Sequence, residues 1–155
     1  MFSLIQQEKA RLRQTLAWPD KVRQIEDTLA TIRKNREDFF AGRAAVYLIR
    51  WKDEIAGVAS FNSLKESQGE IGYWMAERFQ GQGIASQAIQ LLIDSFADAD
   101  ILDTFIIKAA TVNQRSNALA QRLGFAFVDR LPAAEKIGEN VYDQNRYRYQ
   151  RHVPQ

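Results

Sequence analysis

The 155-residue sequence contains no cysteine and one histidine, His152. Without cysteine there can be no disulfide framework, thiolate zinc site, iron–sulfur cluster or thiol nucleophile. A lone imidazole beside the C-terminus nearly excludes histidine metal centres and Ser-His triads, so no metal is expected. No uninterrupted apolar run reaches the roughly 20 residues that cross a bilayer. The start, Met-Phe-Ser-Leu-Ile-Gln-Gln-Glu-Lys, lacks the layout of a signal peptide. A cytoplasmic protein without a membrane partner is the resulting expectation. The net charge of +2 is too small to argue for direct contact with nucleic acid. The remaining chemistry belongs to carboxylates, hydroxyls, amides and the backbone.

The length fits one domain spanning residues 1–155. At that size a folded chain buries roughly 68–70% of its unfolded surface, enough for a core without covalent staples. The charge is uneven: residues 1–43 carry 9 Lys and Arg against 6 Asp and Glu, the remainder 12 against 13. This pattern fits solvated helix faces, or a basic surface suited to an acidic partner.

Apolar residues at Phe2, Ile5, Leu12 and Leu16 fall at helical spacing until Trp18-Pro19 breaks the pattern. Asp20 can cap a second helix with an apolar stripe of Val22, Ile25, Leu29, Ile32 and Phe39, ended by Gly42. The period then drops to two. Ala44–Trp51 and Ile55–Phe61 read as a hairpin about Lys52-Asp53-Glu54. After the polar stretch 63–69, a third strand runs from Glu70 to Ala76. A helix from Ile84 to about Ala97 follows, its buried face predicted at Ile84, Ala88, Leu91, Leu92 and Ser95 or Phe96. Ile101–Ala110 reads as a central strand, Asn113–Leu123 as a helix closed by Gly124, and Phe125–Arg130 and Val141–Tyr149 as two last strands. A meander plus one strand-helix-strand crossover predicts an α+β class with a mixed, mostly antiparallel sheet flanked by helices.

The segment Gln80-Gly81-Gln82-Gly83-Ile84-Ala85 joins a strand end to a helix start, where free N–H groups and the positive end of the helix dipole favour an anion. A dinucleotide fingerprint would need Gly or Ala where Ser86 stands, and a phosphate loop would need Gly-Lys-Ser/Thr; neither is present. Asn113, Ser116 and Asn117 lie at i, i+3 and i+4 on one helix face, with Asn113 also placed as an N-cap.

Together, Glu70-Ile71-Gly72-Tyr73-Trp74-Met75, Gln80-x-x-Gly83-x-Ala85 and Asn113-x-x-Ser116-Asn117 before Leu123-Gly124-Phe125 resemble the GNAT acyl-CoA N-acyltransferases. The likeness is to the RimJ/RimL branch, ribosomal-protein N-terminal acetyltransferases, and extends over nearly the whole chain. It implies acetyl-CoA as donor, its pyrophosphate on the backbone amides of Gln82, Gly83, Ile84, Ala85 and Ser86. It also implies that the strand of Trp74, Met75 and Ala76 splays from its parallel neighbour to take pantetheine, with the N–H at Met75 or nearby facing the oxyanion. Asn113 and Asn117 would bind the cofactor, and Ser116 would protonate the departing thiolate, a role that many GNAT enzymes give to a Tyr instead. Glu135, in Glu135-Lys136-Ile137-Gly138, matches the branch's Glu-x-x-Gly base; Glu70 is the rival, since some GNAT enzymes draw their base from a matching strand.

Relatives usually begin with an edge strand ahead of the first helix. This chain starts inside that helix, so Ala44–Trp51 should be an exposed edge and a homodimer is expected. The acceptor implied is a ribosomal protein N-terminus. The alternatives are a small amine or amino-acid derivative, or a non-catalytic CoA-binding or ribosome-associated module.

Overall fold

The computed structural model describes residues 1–151; His152 lies outside them. Six strands form one mixed sheet: β1 (Ala45–Trp51), β2 (Glu54–Lys65), β3 (Gln68–Met75), β4 (Thr104–Ala110), β5 (Ala126–Ile137) and β6 (Asn140–Gln150). Their order is β1-β2-β3-β4-β6-β5, with β3 and β4 parallel and every other pair antiparallel. The helices are α1 (Phe2–Leu12), α2 (Ile25–Phe40), α3 (Ile84–Asp98) and α4 (Gln114–Arg122). The α+β class and mixed sheet thus match the sequence reading, and β1 is an edge strand.

Strand alternation assigns the faces. Phe61, Ile71, Phe105, Ile107 and Tyr147 form the main core with Ile89 and Ile93 of α3 and Leu119 of α4. On the other face, Ile5 and Leu12 of α1 pack with Val22, Trp74, Trp18 and Val58. The first expected helix stops at Leu12 rather than running to Ala17, and Trp18–Lys21 forms a 3-10 turn with Pro19 at its start. Asp20 does not cap α2 but pairs with Arg13 at 3.1 Å. The cap is Gln24, whose N–H donates to Asp27 Oδ2 at 3.0 Å.

Three other expectations are corrected. The polar 63–69 stretch is no loop: β2 continues to Lys65 past a bulge near Asn62, and Glu66-Ser67 makes a tight turn. The buried face of α3 consists of Ile84, Ile89, Leu92, Ile93 and Ala97, while Leu91 is 68% exposed. The α2 stripe is not core either: Ile25, Leu29, Ile32 and Phe39 are exposed. α2 touches the sheet chiefly at β1, so its apolar side faces an open groove instead of a packed layer.

Candidate active site

The parallel pairing of β3 and β4 stops at Ile71 opposite Ile107. β3 continues to Met75 on β2 alone, and β4 continues to Ala110 on β6 alone. The strands therefore part around Tyr73, Trp74 and Met75. Ala76 N–H donates to Ala56 O at 2.8 Å, so by ladder alternation the Met75 N–H and C=O point to the opposite, splayed side. The Met75 carbonyl accepts from Arg11 Nη2. Arg11 in turn pairs with Glu8 at 3.0 Å, and Glu8 Oε1 accepts from Glu77 N–H at 3.1 Å. These contacts pin α1 across the end of β3.

Beyond the splay lies a cleft of ≈ 520 Å³ whose floor is the turn into α3. Gly81 and Gly83 there have φ of 75° and 76°, the left-handed region that glycine adopts without strain. Gly83 is the N-cap of α3. It has no side chain to bond the first N–H groups, and the first turn has no acidic residue, leaving the helix terminus open to an external anion. Ile84, Ala85 and Ser86 line the cleft together with Arg115, Arg122, the Glu8-paired Arg11 and Glu77. The Gln82 side chain turns away, donating to Arg78 O at 3.0 Å. Ala76 is fully buried in the core and spends its N–H on Ala56, which leaves no place for its side chain in the cleft.

A second, more apolar groove of ≈ 1010 Å³ runs over the opposite sheet face beneath α2. Both cavities share Thr15, Leu16, Tyr73, Trp74, Asn113 and Ser116. At this junction Ser116 Oγ donates to Tyr73 Oη at 3.1 Å. Burial pushes the Tyr73 phenol above its ordinary range, opposed by the Ser116 hydrogen bond and the charges of Arg122 and Arg115. Tyr73 escaped the sequence analysis because alternation places it on the face of Ile71 and Met75, where an aromatic residue reads as core. An inward-facing hydroxyl with no evident partner was the only available signal.

Glu70 and Glu135 both line the groove. Glu70 is held by Lys108 Nζ at 3.3 Å. Glu135 lies in β5 rather than in a loop, opposite Tyr142, and its Oε2 accepts from Gln144 Nε2 at 2.9 Å. A bulge between Leu131 and Glu135 re-aims this end of the strand. Asp143 fixes the bulge, accepting from the N–H of Ala133, which has φ 48°, at 2.9 Å and from Arg130 Nε at 2.7 Å. Those two bonds, the backbone one first, hold the Asp143 carboxyl below its ordinary range.

The Asn113 side chain accepts from Ser116 N–H at 3.3 Å as the α4 N-cap, and Asn113 lines both cavities. Asn117, expected to touch the cofactor, is occupied internally. Its Nδ2 donates to Ala110 O at 3.1 Å and Asn113 O at 2.7 Å, and its Oδ1 accepts from Asn145 Nδ2 at 2.8 Å and Tyr147 Oη at 2.7 Å. It therefore staples α4 to β4 and β6. Asn117→Ala should lower unfolding stability by about 2–4 kcal/mol, because it strands two polar partners; urea denaturation measures this. A loss below the spread expected for surface substitutions would return Asn117 to the pool of ligand candidates. Among the described residues, no group of three or more His, Cys, Asp and Glu could hold a metal ion.

A strand splay, a glycine turn into a helix without a side-chain cap, and two cavities that meet at the hydroxyls of Tyr73 and Ser116, with Glu70 and Glu135 on the groove side, fit an acyl-CoA site. The acetyltransferase (GNAT) domain model matches residues 1–126, and the chain belongs to that family. It is an N-acetyltransferase with acetyl-CoA as donor. It is 40% identical over 149 residues to the ribosomal-protein-serine acetyltransferase of Escherichia coli (strain K12), covering 95% of this chain and 83% of that protein. RimL, the ribosomal L7/L12 alpha-N-protein acetyltransferase solved with coenzyme A, superimposes at a TM-score of 0.94 with 37% identity over 97% of this chain and 86% of its own. The microcin C7 self-immunity acetyltransferase MccE, solved with acetyl-CoA and AMP, gives 0.92 with 36% identity over 96% and 84%.

Proposed function

We propose that this chain acetylates the N-terminal α-amine of a ribosomal protein. The observation that carries the reading is the groove: at ≈ 1010 Å³ it is about twice the donor cleft and opens onto it at Ser116. Such a volume, walled by Ile32, Phe39, Phe40, Val46 and Leu48, suits a polypeptide end better than a small polyamine. Thr28 Oγ1 on the same wall is buried without a hydrogen-bond partner and offers a polar handle to an incoming chain. The names of the Escherichia coli relative and of RimL, both acting on ribosomal proteins, support the acceptor class.

In this reading both substrates bind before chemistry. A protein α-amine with a pKa of about 7.7–8.0 arrives mostly protonated, and Glu135, directly or through water, takes its proton. The neutral amine attacks the thioester carbonyl, the Met75 N–H stabilises the oxyanion, and Ser116 protonates the departing sulfur. Gln82, Gly83, Ile84, Ala85 and Ser86 present backbone N–H groups to the pyrophosphate, and Trp74, Met75 and Asn113 border pantetheine. Mass spectrometry of protein N-termini from cells with and without this protein tests the acceptor. One ribosomal N-terminus that loses its acetyl group supports the reading; an unchanged set refutes it.

A second reading makes the acceptor a small amine bearing an aromatic or nucleotide group. Trp18 and Trp74, with ring centroids 5.9 Å apart, line the groove, and the microcin relative was solved with AMP. We further propose a cytoplasmic homodimer built on the β1 edge, whose outer side pairs with no strand among the described residues. Light scattering at micromolar concentration should give twice the monomer mass; a monomer mass would refute the assembly.

A further inference from the structure

We infer that Tyr73 is a positioning residue for the acid step: its phenol backs the Ser116 hydroxyl and supplies the proton that Ser116 passes on. The inference rests on the assignment of Ser116 to the departing thiolate.

A hydroxyl attached to carbon resembles water and is a far weaker acid than a thiol, whose pKa is about 8.5. Serine acting alone would have to become a bare alkoxide to protonate a far weaker base. A tyrosine, at about 10, lies much nearer the thiol. A phenol hydrogen-bonded behind the serine therefore reduces that mismatch, although burial, which raises the Tyr73 phenol, offsets part of the gain.

Tyr73 meets the geometric requirement. Its Oη is 3.1 Å from Ser116 Oγ, and both residues stand where donor cleft and acceptor groove meet. Two independent elements hold the pair: Tyr73 is fixed in β3 opposite Ala59, and Ser116 sits in the first turn of α4 under the Asn113 cap. Hydroxyl rotors reverse donor and acceptor at no positional cost. At rest Ser116 donates to Tyr73; with a thioester sulfur alongside, Ser116 turns to donate to sulfur and Tyr73 donates to Ser116. Burial of the phenol keeps it protonated through the neutral range, so it remains a donor.

The step balances. The C–S bond breaks and its electron pair leaves on sulfur. Sulfur takes the Ser116 proton, and the Ser116 oxygen takes the Tyr73 proton. Water reprotonates the phenolate after product release, and the proton lost by the amine reaches solvent through the base. The net result is an amide and a thiol, with no other reactant required.

The test is a double-mutant cycle on the full chain with Tyr73→Phe, Ser116→Ala and both together, measuring kcat and the KM for acetyl-CoA. Tyr73→Phe keeps the ring and removes only the hydroxyl. It should lower kcat at least about tenfold, within the range of general acid–base effects, with KM unchanged. In the Ser116→Ala background the same change should do nothing further, because Tyr73 acts only through Ser116. Equal losses in both backgrounds would overturn the inference in favour of a structural role, as would wild-type kcat in Tyr73→Phe. Wild-type turnover in Ser116→Ala would remove the underlying assignment itself. That failure is distinct from one in which Ser116→Ala is impaired and Tyr73→Phe is not.

Discussion

Glu135→Gln is expected to lower kcat by about 10²- to 10⁴-fold, the contribution typical of a general base, without changing the KM for acetyl-CoA. The substitution preserves shape and leaves the β5 bulge to Asp143 and Arg130, which hold it independently. The loss would therefore report chemistry rather than misfolding. Glu70→Gln is the matched comparison. It breaks the pair with Lys108, in which both side chains are 30% exposed, and such partly solvated pairs contribute roughly 1 kcal/mol or less. Steady-state kinetics on both variants should leave Glu70→Gln within about tenfold of wild type. Wild-type turnover in Glu135→Gln with loss in Glu70→Gln would move the base to β3.

The second large effect is at Gly83, where Gly83→Asp should weaken acetyl-CoA binding by at least about 100-fold, since placing like charges together costs several kcal/mol. A Cβ there would meet nothing closer than Gln87 Nε2 at 3.9 Å, so the side chain has room. Backbone strain at φ +76° should cost about 1–2 kcal/mol of stability. Gly83→Ala carries the same strain without the charge and separates the two contributions. Calorimetric titration should show Gly83→Ala retaining affinity within about tenfold and Gly83→Asp losing it. Equal affinity in Gly83→Asp and wild type would displace the pyrophosphate from the α3 terminus.

The parts of the site visible in the sequence are those dictated by backbone rules. A glycine-rich turn between a strand and an amphipathic helix announces an anion site through local geometry alone, and Gly81, Gly83 and the α3 terminus lie where that rule puts them. The succession of helices and strands along the chain followed from hydrophobic period, whereas the placement of β6 between β4 and β5 did not. Long-range pairing was hidden. Asn117 carries the spacing of a ligand, yet its partners Asn145 and Tyr147 lie on a strand whose register no local pattern specifies. Tyr73 reads as core until Ser116 is seen above it. Glu135 reads as a loop residue because Pro132 and the Ala133-Ala134 pair interrupt the strand pattern, whereas β5 absorbs all three residues as a bulge. The apolar stripe of α2 obeys helical periodicity, but periodicity cannot distinguish a face packed on a core from one that roofs a groove.

The most direct measurement incubates the protein with acetyl-CoA and a peptide beginning with serine, locates any acetyl group by tandem mass spectrometry and titrates the thiol released. The account predicts one acetyl group on the α-amine per thiol formed, at a rate exceeding that for a small polyamine such as spermidine. A polyamine acetylated faster than the peptide, or an unmodified peptide alongside bound acetyl-CoA, would contradict it.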